Sequence, residues 1–152
     1  MEASYLKKLL YITVNSKPEN ISTSKTVGRE FVKRFLAKNT DYTLEELDLY
    51  NENIPEVNYK LFSKRAETAS GVEYDRLSVQ DKTDVDRINS LCSQFLSADT
   101  YVIAAPMWSI SYPSRLKRYI DCIIINNKVI KITQSIFDMP FSVITIGLPY
   151  LS

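Results

Sequence analysis

The residues best suited to bind a ligand follow a short apolar run in the second half of the chain. Residues 100–105, TYVIAA, show no polar alternation, which is typical of a strand buried on both faces of a parallel α/β sheet. Pro106 cannot donate to a strand ladder, so we expect the strand to end there. The loop that follows carries Met107, Trp108 and Ile110, where solvent normally selects small polar residues. Open α/β sheets bind ligands at such loops, and this one suits a flat apolar ligand.

The alternative is that these apolar side chains only cap the core beneath the next helix, so a ligand site needs a second component. The loop after the first predicted strand supplies one, because Ser22, Thr23 and Ser24 stand directly before a helical pattern. Free N–H groups and the positive end of a helix dipole favour phosphate there, and Ser16 adds a further hydroxyl. Ordinary capping of the helix by one serine is the simpler interpretation, but three consecutive hydroxyl residues exceed what a cap needs.

Other site chemistries find little support in the composition. The chain has no histidine, which excludes Ser-His-Asp and Cys-His nucleophiles and most transition-metal sites. Cys92 and Cys122 lie in apolar periodic segments without a CxxC partner, so we expect two buried thiols rather than a disulfide or a zinc site. Neither a GxGxxG nor a GxxxxGKS sequence is present. Acids such as Asp48, Asp81 and Asp84 are scattered and are expected to be solvated, so we predict no catalytic acid or base and no metal.

Length and charge point to one globular domain spanning residues 1–152. The net charge of +1 gives no field that would favour nucleic acid or an anionic membrane, and no apolar run approaches the length of a membrane span. The first residues, MEASYLKKLLYITV, pass directly into a strand pattern and show no signal architecture. We therefore expect a cytoplasmic protein that binds neither nucleic acid nor membrane.

Strand and helix patterns alternate along the chain, which predicts an α/β sheet with right-handed crossovers. The predicted strands are 8–14, 42–49, 100–105 and 141–146, and 42–49 has the partly acidic pattern of an edge strand. The predicted helices run from the hydroxyl cluster to about residue 38, over 79–97 behind a capping-box-like SVQD, and onward from Pro113 as first helical residue. Weaker patterns suggest a short helix over 58–66 and a small strand over 129–133.

Both ligand loops should meet at one edge of this sheet. In the flavodoxin-like strand order 2-1-3-4-5, strands one and three are neighbours, and ligands bind in the crevice outside their carboxyl ends. A ligand with a phosphate at one end and a flat ring at the other would reach both loops. FMN has that shape.

The chain resembles the FMN-dependent NADH-azoreductases, a flavodoxin-like family of quinone and azo-dye reductases. The resemblance rests on the hydroxyl cluster before the first helix, on AAPMWSI at residues 104–110, and on LKRYID at residues 116–121. The family loop commonly reads Ala-Pro-Met-Tyr/Trp-Asn-Phe. This chain keeps its proline, methionine and aromatic residue but has Ser109 and Ile110 at the last two positions.

The resemblance implies a three-layer sandwich with a mostly parallel sheet that lacks the usual last strand and helix. It also implies FMN as cofactor, NAD(P)H as electron donor, a quinone or azo compound as small-molecule substrate, ping-pong hydride transfer and a homodimer. The implied phosphate-binding residues are Ser16, Ser22, Thr23 and Ser24. The implied ring-lining residues are Pro106, Met107, Trp108, Ser109 and Ile110, with loop N–H groups facing the ring edge and Gly147 approaching from the turn after the fourth strand.

Two alternatives to a working reductase stay open on the sequence. The first is a flavodoxin-like module that binds FMN or a partner without turnover, which the altered loop residues and the absent final elements favour. The second is a phosphodiesterase, for which the sequence offers no metal site or base cluster.

Overall fold

The fold is described from a computed structural model covering residues 6–63, 67–125, 127–132, 137–138 and 143–148. The chain divides into two compact units. Unit 1 comprises Met1–Glu52, Ser97–Leu116 and Phe141–Ser152, and unit 2 comprises Asn53–Leu96 and Lys117–Pro140. The expectation of a single domain over residues 1–152 stays a prediction. Within the described residues, no helix is both long and apolar enough to cross a bilayer.

Unit 1 is built on a four-stranded parallel sheet. Its strands are β1 (Lys7–Thr13), β2 (Tyr42–Asp48), β3 (Thr100–Pro106) and β6 (Val143–Leu148), in the order β2-β1-β3-β6. All three pairings are parallel, and β2 lies at one end of this order. The predicted neighbourhood of strands one and three and the edge position of strand two are therefore confirmed.

Helix α1 (Thr23–Lys38) packs on one face of this sheet. Alternate strand residues Leu9, Tyr11, Val102 and Ala104 form a buried cluster with Val32 of the helix. The residues between them on the strands, such as Ile12 and Ile103, are also buried. Burial on both faces explains why these strands read as continuous apolar runs rather than alternating ones.

Unit 2 contains two further helices, α2 (Val72–Asp75) and α3 (Val79–Leu96). Half of the capping box predicted before α3 is observed, because the Asp81 amide donates to Ser78 Oγ (3.1 Å). The Asp81 carboxylate accepts from the Ser78 hydroxyl (2.7 Å). Cys92 and Cys122 are buried and free, as predicted. Burial raises the pKa of the Cys92 thiol to about 11 and that of Cys122 to about 12, so neither is a reactive thiolate at neutral pH.

The remaining elements are α4 (Ser114–Ile123), β4 (Lys131–Ile132) and β5 (Phe137–Asp138), the last two forming an antiparallel pair. The short helix predicted over 58–66 is only a 3-10 turn at Tyr59–Leu61, and residues 64–66 lie outside the described chain. The small strand predicted over 129–133 is observed only as β4, and residue 133 lies outside the described chain. Pro113 precedes α4 instead of forming its first residue.

Two strand ends near the site differ from the prediction. The strand predicted over 100–105 ends at the proline as expected but includes it, because β3 pairs with β6 up to Pro106–Leu148. On its other side the pairing with β1 already stops at Thr13–Ala104, so Pro106 breaks no ladder there. The fourth predicted strand, 141–146, is observed as 143–148, and residues 141 and 142 lie outside the described chain.

Candidate functional site

The loop after β1 is organised by a buried asparagine. Asn15 Nδ2 donates to Ser22 Oγ (3.0 Å), and its Oδ1 accepts from the Lys17 amide (3.0 Å). The loop is therefore held at both ends by one side chain, with a 3-10 turn at Glu19–Ile21 between them. Asn15 is not among the residues predicted from the sequence to bind phosphate. Its ability to close an Asx turn two residues onward was the signal that could have singled it out.

Ser22 is the N-cap of α1, and its Oγ accepts from the Lys25 amide (3.4 Å). Ser24 Oγ lies 3.3 Å from Ser22 Oγ, and both side chains are buried. The amides of Thr23 and Ser24 belong to the first turn, whose N–H groups no intrahelical carbonyl reaches. This turn carries no acidic residue. Hydroxyls and amides thus form a donor set whose chemistry fits a phosphate.

The four predicted phosphate-binding residues are not equivalent in the structure. Ser22 and Ser24 are brought together at the start of α1, whereas the side chains of Thr23 and Ser16 are exposed to solvent. Ser16 follows Asn15 at the beginning of the loop. A ligand at the helix start would meet the buried pair from within the loop and Thr23 from the solvent side.

The loop after β3 forms a tight two-residue turn. The Trp108 amide donates to the Ser111 carbonyl (2.7 Å), and the Ser111 amide donates back to the Trp108 carbonyl (2.9 Å). Ser109 and Ile110 between them have φ of 48° and 65°. Positive φ at both central positions is the type I′ pattern, which favours Asn and Gly. A β-branched residue such as Ile110 is strained in this region.

This turn changes how the five predicted ring-lining residues are presented. Ile110 stands at the tip with 95% of its surface exposed, and Met107 is also exposed, while Pro106 and Trp108 are half-buried. The sequence-based expectation that the loop amides face a ring edge needs correction for Trp108. Its N–H is taken by Ser111 within the turn.

The two loops begin side by side at the carboxyl edge of the sheet. The Val14 amide, directly after β1, donates to the Ala104 carbonyl in β3 (2.9 Å). Gly28 lets α1 lie close to the same two strands, since a Cβ there would stand 2.6 Å from Tyr11 Oη and 2.8 Å from Ala104 Cβ. On the other side of β3, Gly147 pairs with Ala105 inside β6, not in the turn after it as predicted.

A polar cavity of about 420 Å³ lies between β1, β2 and the start of α1. Lys25, with only 8% of its side chain exposed, pairs there with Asp48 (2.8 Å), and Arg29 pairs with Glu46 and with Glu19 (3.1 Å). Burial alone would raise the pKa of Asp48, but the hydrogen bonds from Lys25 and the Tyr50 amide outweigh it and the pKa lies below 3.8. None of the predicted site residues lines this cavity. Its cations, Lys25 and Arg29, are each paired with carboxylates of the same unit.

Comparison with known proteins decides the family. Residues 7–139 match the family described as having the flavodoxin-like fold. The chain belongs to this family. The predicted α/β, flavodoxin-like fold class is thereby confirmed, and the strand order agrees with it.

Within the flavodoxin-like family, relatives of high similarity have assigned activities. The chain is 56% identical over 129 residues to an FMN-dependent NADH:quinone oxidoreductase of Clostridium acetobutylicum, covering 85% of this chain and 58% of that protein. It is 54% identical over 127 residues to a protein of the same description from Clostridium botulinum, covering 84% and 59%. The chain thus spans less than two thirds of the length of these relatives.

A solved structure supports the fold independently. The FMN-dependent NADH-azoreductase of Bacillus anthracis, determined in complex with FMN, superposes with a TM-score of 0.75 at 23% identity. The match covers 93% of this chain and 68% of that one. At this level of identity the similarity shows the shared fold.

Proposed function

We propose that this chain binds FMN across the loops that follow β1 and β3 and acts as an NAD(P)H-dependent reductase of quinones or azo compounds. The observation that carries the proposal is the Val14–Ala104 hydrogen bond, because it starts the two loops on adjacent strands at one sheet edge. The activities assigned to the Clostridium relatives support the same reaction.

The phosphate of FMN is assigned to the start of α1. There Ser22, Ser24 and the first helical amides supply uncharged donors, Thr23 lies at the solvent side, and Ser16 lies at the loop entrance. The positive end of the helix dipole adds to the attraction. This end of the site binds and orients the cofactor but moves no proton.

The flat ring is assigned to the turn after β3. Pro106, Met107, Trp108, Ser109 and Ile110 would line it, with Gly147 of β6 on the far side of Ala105. When bound, FMN would supply the two-electron chemistry between NAD(P)H and the acceptor, in a ping-pong sequence. The residues of the chain position the ring and exclude water, so no side chain needs to act as a strong acid or base.

Two further parts of the proposal concern assembly and location. We assign the working form to a homodimer in the cytoplasm, with a small-molecule acceptor and no nucleic-acid or membrane partner. Sedimentation of the purified chain at several concentrations tests the dimer. A monomer at all concentrations would contradict it.

A flavodoxin-like module that binds FMN without turnover is the second candidate. The strained turn favours it, since Ser109 and Ile110 replace the asparagine and aromatic residue of the azoreductase pattern and the Trp108 amide is already bonded. In that case the ring would bind but would not be placed for hydride transfer.

One set of measurements separates the candidates. Trp108 is the single tryptophan of the chain, so its fluorescence reports directly on a ligand at the turn. We expect micromolar FMN to quench it and NADH to be oxidised when menadione or an azo dye is present, with parallel double-reciprocal plots. Quenching without NADH oxidation would favour the module, and no quenching would contradict both candidates.

A further inference from the structure

Trp108 is in contact with a residue from a different loop of the same unit. The Tyr50 ring, two residues after β2, meets the indole edge-on, with ring centroids 6.4 Å apart and an interplanar angle of 68°. The guanidinium carbon of Arg115, in the first turn of α4, lies 5.6 Å from the Tyr50 ring centroid. The three side chains therefore lie in a row of successive contacts, Arg115–Tyr50–Trp108.

The Arg115 side chain and the Tyr50 backbone are held in place by hydrogen bonds. Arg115 Nε donates to the Leu49 carbonyl (2.6 Å), and its Nη2 donates to the Glu52 carbonyl (3.2 Å), so it holds the segment on both sides of Tyr50. The Tyr50 amide donates to Asp48 Oδ1 (2.9 Å). A planar guanidinium can make both bonds in its fixed fork geometry while its face lies toward a ring.

Trp108 itself lies next to the turn in which Ser109 and Ile110 have positive φ. The turn determines the backbone path but leaves the indole free to choose among rotamers. Its contact with Tyr50 selects one of them, and edge-to-face aromatic pairs prefer a defined ring orientation. The loop after β2 therefore contributes to the orientation of the indole.

We propose that Tyr50 and Arg115 are positioning residues that hold the Trp108 indole in the orientation in which it receives the flavin ring. The role rests on the proposed FMN site. It adds a third loop to that site, because neither residue was among those implied by the sequence resemblance. The pair acts through Trp108.

The test uses the fluorescence of the single tryptophan in the chain without ligand, followed by FMN titration. For Tyr50→Leu we expect a shifted emission maximum, stronger acrylamide quenching and about fivefold weaker FMN binding, as for loss of one aromatic pair. Tyr50→Phe keeps the ring and should stay within about twofold of the unaltered chain. The fluorescence change and the FMN affinity of Arg115→Lys should lie between those of Tyr50→Leu and Tyr50→Phe. Tyr59→Leu, which removes a tyrosine that is 83% exposed, is the matched control and should change neither signal.

The outcomes separate this role from the proposed function. An unaltered chain that binds no FMN, with fluorescence still responding to Tyr50→Leu, would overturn the FMN site and leave only the contact. Normal FMN binding by both the unaltered chain and Tyr50→Leu would overturn the positioning role alone. A Tyr50→Phe variant as weak as Tyr50→Leu would also overturn it, since the ring would then not be the active feature.

Discussion

The amide of Val14 donates to the carbonyl of Ala104 over 2.9 Å, immediately beyond the last residue of β1. This bond extends the β1–β3 pairing by one step and fixes where the loop after β1 leaves the sheet. The turn after β3 departs two residues further along, behind Pro106. Their spacing is therefore a property of strand register and does not depend on either loop's own conformation.

A negative charge at the start of α1 should separate phosphate recognition from ring recognition. Thr23→Asp places a carboxylate at the first, exposed helical position. A negative charge there interacts favourably with the helix dipole, so folding should stay intact. We expect FMN affinity to fall at least about tenfold, because like charges a few ångströms apart cost more than this even near the surface. Riboflavin, which has no phosphate, should bind as before. Thr23→Asn is the neutral control, and an equal loss for both ligands would contradict the assignment.

Gly28 should be intolerant of a side chain. Gly28→Ala places a Cβ against Tyr11 Oη and Ala104 Cβ, so α1 must move away from the sheet. We expect the free energy of unfolding, measured in urea, to fall by about 1–3 kcal/mol. The control is Lys33→Ala on the exposed side of the same helix, which should be neutral or slightly stabilising. Equal stabilities for the two variants would show that the close approach is not rigid.

The turn after β3 should gain stability from a residue that accepts positive φ. Ile110→Gly removes the strain of a β-branched residue and loses little packing, because Ile110 is almost fully exposed. We expect the free energy of unfolding to rise by about 1 kcal/mol in thermal denaturation. Ile21→Gly, at an exposed isoleucine without positive φ, should act in the opposite direction. A loss of stability in both variants would contradict backbone strain at Ile110.

The Lys25–Asp48 ion pair beneath α1 should make the free energy of unfolding depend on pH. The pKa of Asp48 is lowered in the folded chain, so its contribution is complete above about pH 5 and is lost as the pH falls through 3.8 and below. Asp48→Asn should cost about 2 kcal/mol at pH 7, because it leaves the buried Lys25 without its charge partner. The difference from the unaltered chain should shrink as the pH falls below 3.8, the ordinary pKa of an aspartate. Asp41→Asn, in the exposed pair with Lys7, should have no measurable effect at pH 7, and a matching loss there would contradict the role of burial.

Much of the fold could be predicted because it is set by local patterns. The apolar runs around Leu9 and Val102 are buried on both faces and therefore show no alternation, and Ser22 and Ser78 mark helix starts through hydrogen bonds within one turn. These features depend on residues close together in sequence. The neighbourhood of strands one and three was predicted instead from the flavodoxin-like strand order.

The finer geometry of the site depends on contacts that no local pattern shows. Ser109 and Ile110 are poor residues for positive φ, so the turn they form could not be predicted from their types. From the sequence alone, Gly28 is only a residue of low helix propensity. Its close approach to Tyr11 is visible only in the structure. The contact of Tyr50 with Trp108 joins two loops far apart in sequence. FMN was proposed from the types of residue in the two loops and from the resemblance, not from these contacts.

The pairing of β1 with β3 has a consequence for how the chain folds. Lys8 and Asp99, which are bonded at the start of this pairing, stand 91 positions apart. Closing so long a loop costs conformational entropy before any contact repays it, and such topologies refold slowly. The slow step in refolding should therefore be the one that assembles this strand pair. Destabilising substitutions along the pair should slow refolding more than substitutions in α3 that lower the free energy of unfolding by the same amount.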